Sequence, residues 1–183
     1  MYGFLITAAG ENMLARAAAG EPLKLTGVTV GKGVVESAEA AKALTGLVEQ
    51  VAAATSTEPV VAGGQLSMLV EYRNDMNGGL DQGFDLTEFG IFAQVGDDEA
   101  ALLYYGGLGD RPQPVQAFSQ GLDIHRFPVA IAVTEEVAVT LGYPAGAFVT
   151  HEELGPPADA AVQAHNEDLG AHEAAGFFRA VDE

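Results

Sequence analysis

Glu88 places a carboxylate inside an otherwise apolar run, Thr87-Glu88-Phe89-Gly90-Ile91-Phe92. A carboxylate that leaves water needs donors or a cation around it. Such a group is either an acid or base in a site or a structural anchor, and ion-pair carboxylates outnumber catalytic ones. Read as a strand, the run puts Leu86, Glu88, Gly90 and Phe92 on one face and Thr87, Phe89, Ile91 and Ala93 on the other. Gly90 weakens a strand interior, so it marks a bulge or a close backbone approach. Gly96-Asp97-Asp98-Glu99 reads as a turn and Ala101-Leu102-Leu103-Tyr104-Tyr105 as a second strand, so 86–105 is expected to be a hairpin. As a structural group, Glu88 is expected to pair with Arg73 or Arg126.

Other constellations offer little catalysis. Asp75-Met76-Asn77-Gly78 suggests a calcium loop, but counting from Asp75 the fifth, sixth and twelfth positions are Gly79, Leu80 and Leu86. None of these supplies the ligand or turn glycine that the loop needs, so a solvated loop is expected. Val30-Gly31-Lys32-Gly33 lacks the spacing and the Ser/Thr of a phosphate loop and reads as a tight turn. No nucleophile elbow or paired-histidine zinc motif occurs, and His125 reads as a hydrogen-bonded structural histidine at the start of a strand. There are no cysteines, which removes disulfides, thiolate metal sites and cysteine catalysis. An enzyme such as a carboxylate-dependent hydrolase needs convergent polar groups. The sequence supplies no such set, so neither an enzyme nor a cofactor or metal is expected.

The C-terminal segment carries a different pattern. Val162, Leu169 and Gly176 recur every seven residues, as do His165, His172 and Arg179. The steps from Val162 to His165 and from His165 to Leu169 are three and four residues, the spacing of a coiled-coil seam. Two readings stand. The histidines are exposed polar residues of one amphipathic helix, or Val162, His165, Leu169 and His172 form the seam of a trimer. In the trimer three imidazoles meet near the axis, able to bridge through water or to bind an anion or a metal.

The elements that position these residues follow from local signals. Phe4-Leu5-Ile6 is a strand, and Thr7 caps a helix from Ala8 to Ala19 that stops at Gly20. Leu23 to Val30 alternates as a strand, 37–46 is an alanine-rich helix, and Leu47 to Ser56 reads as a strand, although Ala52-Ala53-Ala54 would equally suit a helix. Gln65 to Tyr72 is a strand and 73–83 a glycine- and Asn-rich loop. After the hairpin comes a long irregular loop over 106–120, then strands Ile124 to Val133 and Val137 to Leu141. The fold class expected is α+β: a mainly antiparallel β domain with short N-terminal helices, over 1–150, followed by a C-terminal helical stem. That second region, 151–183, opens at His151; Gly155-Pro156-Pro157 is a linker or a helix start, and Ala158 to Ala180 is its helix.

At 183 residues the chain can hold one full domain plus an appendage. It carries 8 Lys+Arg against 26 Asp+Glu, a formal net charge of −18. That charge repels phosphate backbones and anionic membranes, so no nucleic-acid partner is expected. No run approaches a membrane span and the N-terminus lacks a signal peptide, so synthesis in the cytoplasm without membrane insertion is expected.

The ordered motifs resemble a known family. Phe84-Asp85-Leu86-Thr87-Glu88-Phe89-Gly90-Ile91-Phe92-Ala93 is similar to the E-[hydrophobic]-G-[I/L]-F stretch of phage tail-collar fibre proteins. There an acidic or glycine turn and an aliphatic strand follow, as they do here. Leu5-Ile6-Thr7-Ala8-Ala9-Gly10 resembles the family's opening L-I-T-x-x-G, and Leu23 to Gly33 its l-L-T-x-h-x-V-G-x-G segment, where h is apolar. Ala164-His165-Asn166-Glu167-Asp168-Leu169-Gly170-Ala171-His172 is similar to elements in the stems of trimeric tail fibres. The chain departs from the family in lacking a long shaft and a receptor-binding tip. The resemblance therefore implies the attachment part alone: a virion tail protein, homotrimeric, bound to baseplate proteins and to a separate distal fibre chain. A small protein-binding module outside any virion is the alternative.

Overall fold

Period-two alternation dominates the observed structure, a computed structural model that describes residues 2–134 and 137–147. Of the described residues 46% lie in strands and 15% in helical turns. In chain order the elements are β1 (Tyr2–Ile6), α1 (Ala8–Ala18), β2 (Leu23–Gly31), α2 (Ala38–Lys42), β3 (Gln50–Ser56), β4 (Val60–Ala62) and β5 (Gln65–Arg73). They continue with β6 (Phe84–Leu86), β7 (Glu88–Val95), β8 (Ala101–Leu108), β9 (Gln113–Val115), β10 (Ile124–Ala132) and β11 (Val139–Leu141). Short 3-10 turns stand at Met76–Gly78 and Phe118–Gln120.

The expected α+β class is corrected by these elements. The described residues form a mainly antiparallel β fold whose sheet curls into a nearly closed barrel, with two short α-helices beside it. The alanine-rich 37–46 segment forms only the five residues of α2, capped by Ser37 Oγ on the amide of Ala40 at 3.1 Å. It ends where Leu44 and Leu47 turn onto Val35, Ala41, Leu102 and Tyr105, so burial of two leucines outweighs helix propensity. The expected helical stem, with Val162, His165, Leu169 and His172, lies outside the described residues.

The main sheet runs β1-β8-β7-β2-β3-β5-β10. β2 is shared by two partners on one side: β11 runs parallel to Leu23–Leu25, and β3 pairs antiparallel from Val28 onward. β5 is divided likewise between β4 and β3. The expected hairpin is present as β7 and β8, with a register shift between Ile91 and Phe92. Thr7 caps α1 as expected: its Oγ1 accepts from the amide of Gly10 at 3.0 Å and donates to the carbonyl of Leu102. That second bond ties the cap to β8.

The two faces of β7 separate as the alternation predicts. Phe89, Ile91, Ala93 and Val95 enter the main core. Phe92 packs on the second cluster under the 35–47 segment. Gly90 faces the same way, where a Cβ would lie 2.7 Å from Leu102 Cδ1 and 2.9 Å from Leu47 Cδ2, so it is a point of close approach. Leu86 is a correction. The strand is interrupted at Thr87, and Leu86 belongs to β6, which pairs with β9 and packs into the main core. β9 and the end of β8 also replace much of the irregular loop expected over 106–120.

Phe89 organises the core. Its ring stacks on Phe127 of β10 with centroids 4.8 Å apart, and lies 5.9 Å from Phe4 of β1 and 6.3 Å from Tyr104 of β8. The ring covers Gly106, its cross-strand neighbour, where a Cβ would come within 2.2 Å of Phe89 Cε1. One aromatic ring thus joins strands from both ends of the sheet.

Candidate functional site

The Glu88 carboxylate is fully buried and is held by main-chain amides. Oε1 accepts from Gly33 N at 3.0 Å and Glu49 N at 2.8 Å, and Oε2 accepts from Val48 N at 3.1 Å. Tyr105, on β8, lies close enough for the Glu88 charge to act on its hydroxyl. Backbone donors compensate a buried anion without a cation when several converge on it. Neighbouring bonds lock the same corner: Thr87 Oγ1 donates to Gly33 O at 2.7 Å, Thr87 N to Gly31 O at 3.1 Å, and Lys32 N to Glu49 O at 2.9 Å. A Cβ on Gly33 would lie 2.5 Å from both Glu88 Oε1 and Val48 Cβ, so only glycine lets these segments close.

This arrangement corrects two expectations. Gly31-Lys32-Gly33 is not merely a tight turn; it runs out of β2 and supplies a donor to Glu88. Leu47–Glu49 lies outside β3, which begins at Gln50, because the amides of Val48 and Glu49 turn to the carboxylate. Nor do Arg73 and Arg126 serve Glu88. Both turn to Glu71, a second fully buried carboxylate: Arg126 Nε lies 2.8 Å from Glu71 Oε2, and Arg73 Nη1 4.0 Å from Oε1. The register explains the choice, since Arg126 stands directly opposite Glu71 across β10 and β5.

The remaining polar groups also serve the scaffold. Buried Asn74 donates to the carbonyls of Gln116 and Gly121 at 3.0 and 2.8 Å and accepts from Asp123 N at 2.8 Å, tying the 116–123 loop to the end of β5. Asp75 binds Arg73 through Oδ1 at 2.9 Å, and Asn77 donates to Ala53 O at 3.1 Å, so the loop once compared with a calcium site is engaged with its own protein. His125 Nδ1 meets Gln113 Oε1 at 2.9 Å, consistent with a structural histidine. Its Nε2 is 3.3 Å from Asp123 Oδ2 but lacks hydrogen-bond alignment.

The two loops pinned by Glu88 present valines outward beside an exposed ion pair, Lys32 Nζ to Glu49 Oε1 at 3.0 Å. Val34, next to Gly33, is 55% exposed, and Val48, whose amide binds Glu88, is 51% exposed. Val51 is exposed nearby in sequence. Apolar side chains on loops fixed from below suit recognition of a protein surface, because little loop entropy is lost on binding. Sequence reasoning found Glu88 but missed its donors and Tyr105. The available signal was the glycine pair at 31 and 33 beside the matching strand. Glu71 and Arg73, two residues apart and hence on one strand face, announced the second carboxylate.

Burial raises the pKa of four tyrosines. For Tyr72 and Tyr104 burial is the cause. For Tyr105 burial acts first, then the charge of Glu88. For Tyr143 burial leads and Glu58 adds to it, against a lowering contact with Ser56, whose Oγ is 2.8 Å away. A raised folded-state pKa favours the neutral phenol. Its contribution is complete below the unfolded value of about 10 and is lost as pH rises through the folded values. Above about pH 10 stability should therefore fall, with tyrosinate absorbance rising together with loss of the β-sheet circular dichroism. Ionisation of all the tyrosines near the ordinary value with the sheet signal intact would contradict this linkage.

Compared with known protein families, curated proteins and solved structures, the chain has no significant match in any of the three. No described helix is long and apolar enough to cross a membrane.

Proposed function

We propose that residues 1–150 form a docking joint of a phage or phage-derived tail, attaching a tail fibre to the baseplate and so supporting host attachment. The reading combines the ordered sequence resemblance with one structural observation. The buried Glu88 carboxylate is fully engaged in pinning two loops, and those loops hold Val34 and Val48 out to solvent. A carboxylate occupied by three amides is poorly placed for acid–base work, whereas pinned loops with exposed valines beside an ion pair suit a mechanical contact. In this reading the protein acts as a homotrimer, with baseplate proteins on one side and a distal fibre chain on the other, and it needs no cofactor.

Electron microscopy of purified tails, with gold-labelled antibody against the chain, tests the assignment. Label at the baseplate end, together with a trimer mass by light scattering at micromolar concentration, is expected. Unlabelled tails with the protein abundant in the soluble fraction would replace this reading with that of a protein-binding module outside the virion.

A further inference from the structure

The main sheet passes through seven strands, and every neighbouring pair on that path is antiparallel. Direction therefore alternates along the path, and its two end strands, β1 and β10, run the same way. An antiparallel barrel closes only with an even number of strands, since the last must oppose the first. The odd count leaves a seam: among the described strands β1 pairs with β8 alone and β10 with β5 alone. A cleft of about 310 Å³ marks it, lined by Phe4, Leu108, Arg111, Gln113, Phe127 and Pro128. Phe89 touches both Phe4 and Phe127.

Register shows which backbone groups face the seam. Thr7 N donates to Leu103 O at 3.1 Å, so Leu5, two residues back, also faces β8, and the amide and carbonyl of Ile6 turn to the open side. On β10, Val133 N donates to Gly64 O at 2.9 Å, which puts Phe127, Val129 and Ile131 toward β5 and Pro128, Ala130 and Ala132 toward the seam. Proline has no N–H, so Pro128 interrupts that edge as a hydrogen-bonding template and disfavours pairing there with another sheet edge. β1 contains no proline. The seam therefore has one edge suited to a ladder and one suited to side-chain contact.

We propose that this seam receives one extended segment of a partner protein, which runs antiparallel to both β1 and β10 and completes the barrel as its eighth strand. The segment ladders on β1 and lays alternate aliphatic side chains on Phe4 and Phe127, which flank Phe89. The net charge of −18 attracts basic residues, which the segment keeps to its flanks, away from Arg111 in the cleft. Strand addition of this kind draws affinity from main-chain bonds and specificity from pockets for alternate side chains. The proposal rests on the reading of the domain as a protein-docking module. The two fail separately: absence from tails leaves strand addition standing, and absence of strand addition leaves the tail assignment standing.

The test selects a displayed library of random peptides, about ten residues long, on the full chain. Enriched sequences should alternate apolar and polar residues, avoid central proline and carry lysine or arginine. Methylating alternate backbone amides of a selected peptide should abolish binding in one register and spare it in the other. Phe4 is 45% exposed but touches Phe89, so Phe4→Lys should lower the melting temperature by a few degrees, leave the chain folded at 25 °C and weaken binding at least about tenfold. Should that variant fail to fold, Ala130→Cys serves instead. It is exposed, in a chain with no cysteine of its own, and should form a disulfide with a peptide bearing a terminal cysteine. Failure to enrich any peptide, equal effects of methylation in both registers, or binding indifferent to Phe4→Lys and to Ala130→Cys cross-linking would each overturn the proposal.

Discussion

Phe89→Ala should lower the unfolding free energy by about 4 kcal/mol, a large share of the 5–15 kcal/mol typical of a domain. The ring is completely buried and contacts rings from β1, β8 and β10. Its removal costs the transfer free energy of the side chain and leaves a cavity in a close-packed interior. The location adds to the effect. No ladder joins β1 to β10, so apolar contact through Phe89 replaces hydrogen bonds in holding the two ends of the sheet together. Urea denaturation should show a lower midpoint with little change in slope. Gly106→Ala provides the matching control. Its Cβ would strike the Phe89 ring, so the substitution should be costly in the native chain and mild beside Phe89→Leu, giving a measurable coupling energy. A loss below about 1 kcal/mol for Phe89→Ala, or equal costs of Gly106→Ala in both backgrounds, would remove Phe89 from this role.

The hairpin, the Thr7 cap and the division of β7 between two apolar clusters were legible in the sequence. Each rests on a local signal: alternation, a hydroxyl before a helix, a polar turn. The boundaries of α2 and β3 were not legible, because distant partners decide them. Residues 38–44 favour a helix and Thr45-Gly46 do not, yet α2 stops already at Lys42 because Leu44 and Leu47 are worth more packed against Leu102 and Tyr105. Leu47–Glu49 alternates well enough for a strand, but a carboxylate some 40 positions away claims its amides. The arginine assignment failed for the same reason. Arg73 and Arg126 were sound partners for a buried carboxylate, but pairing register, which sequence spacing does not encode, set Arg126 opposite Glu71, and Arg73 shares a strand face with Glu71 two residues away. The odd strand count of the sheet was also invisible before the pairings were known.

Glu88→Gln should destabilise the fold by about 2–3 kcal/mol although it changes neither size nor shape. The carboxylate offers two acceptor oxygens, and three amides use them, two on Oε1 and one on Oε2. A glutamine keeps one oxygen. If that oxygen serves Gly33 and Glu49, the new NH2 group faces the N–H of Val48, donor against donor, in a place water does not reach. Charge-assisted bonds to the other two amides weaken as well. For a domain of this size the loss corresponds to a melting temperature lower by roughly 4–12 °C. Hydrogen exchange locates the effect: the amides of Gly33, Val48 and Glu49 should lose protection ahead of those in β7 and β8, since the loops open before the sheet does. Arg126→Gln should leave those three amides protected, because its carboxylate partner is Glu71. An unchanged melting temperature in Glu88→Gln, or equal loss of loop protection in Arg126→Gln, would assign the loops another anchor. The same variant bears on docking. Val34 and Val48 remain in place chemically but lose their fixed spacing, so binding to a partner should weaken through ordering entropy alone, with no contact residue altered.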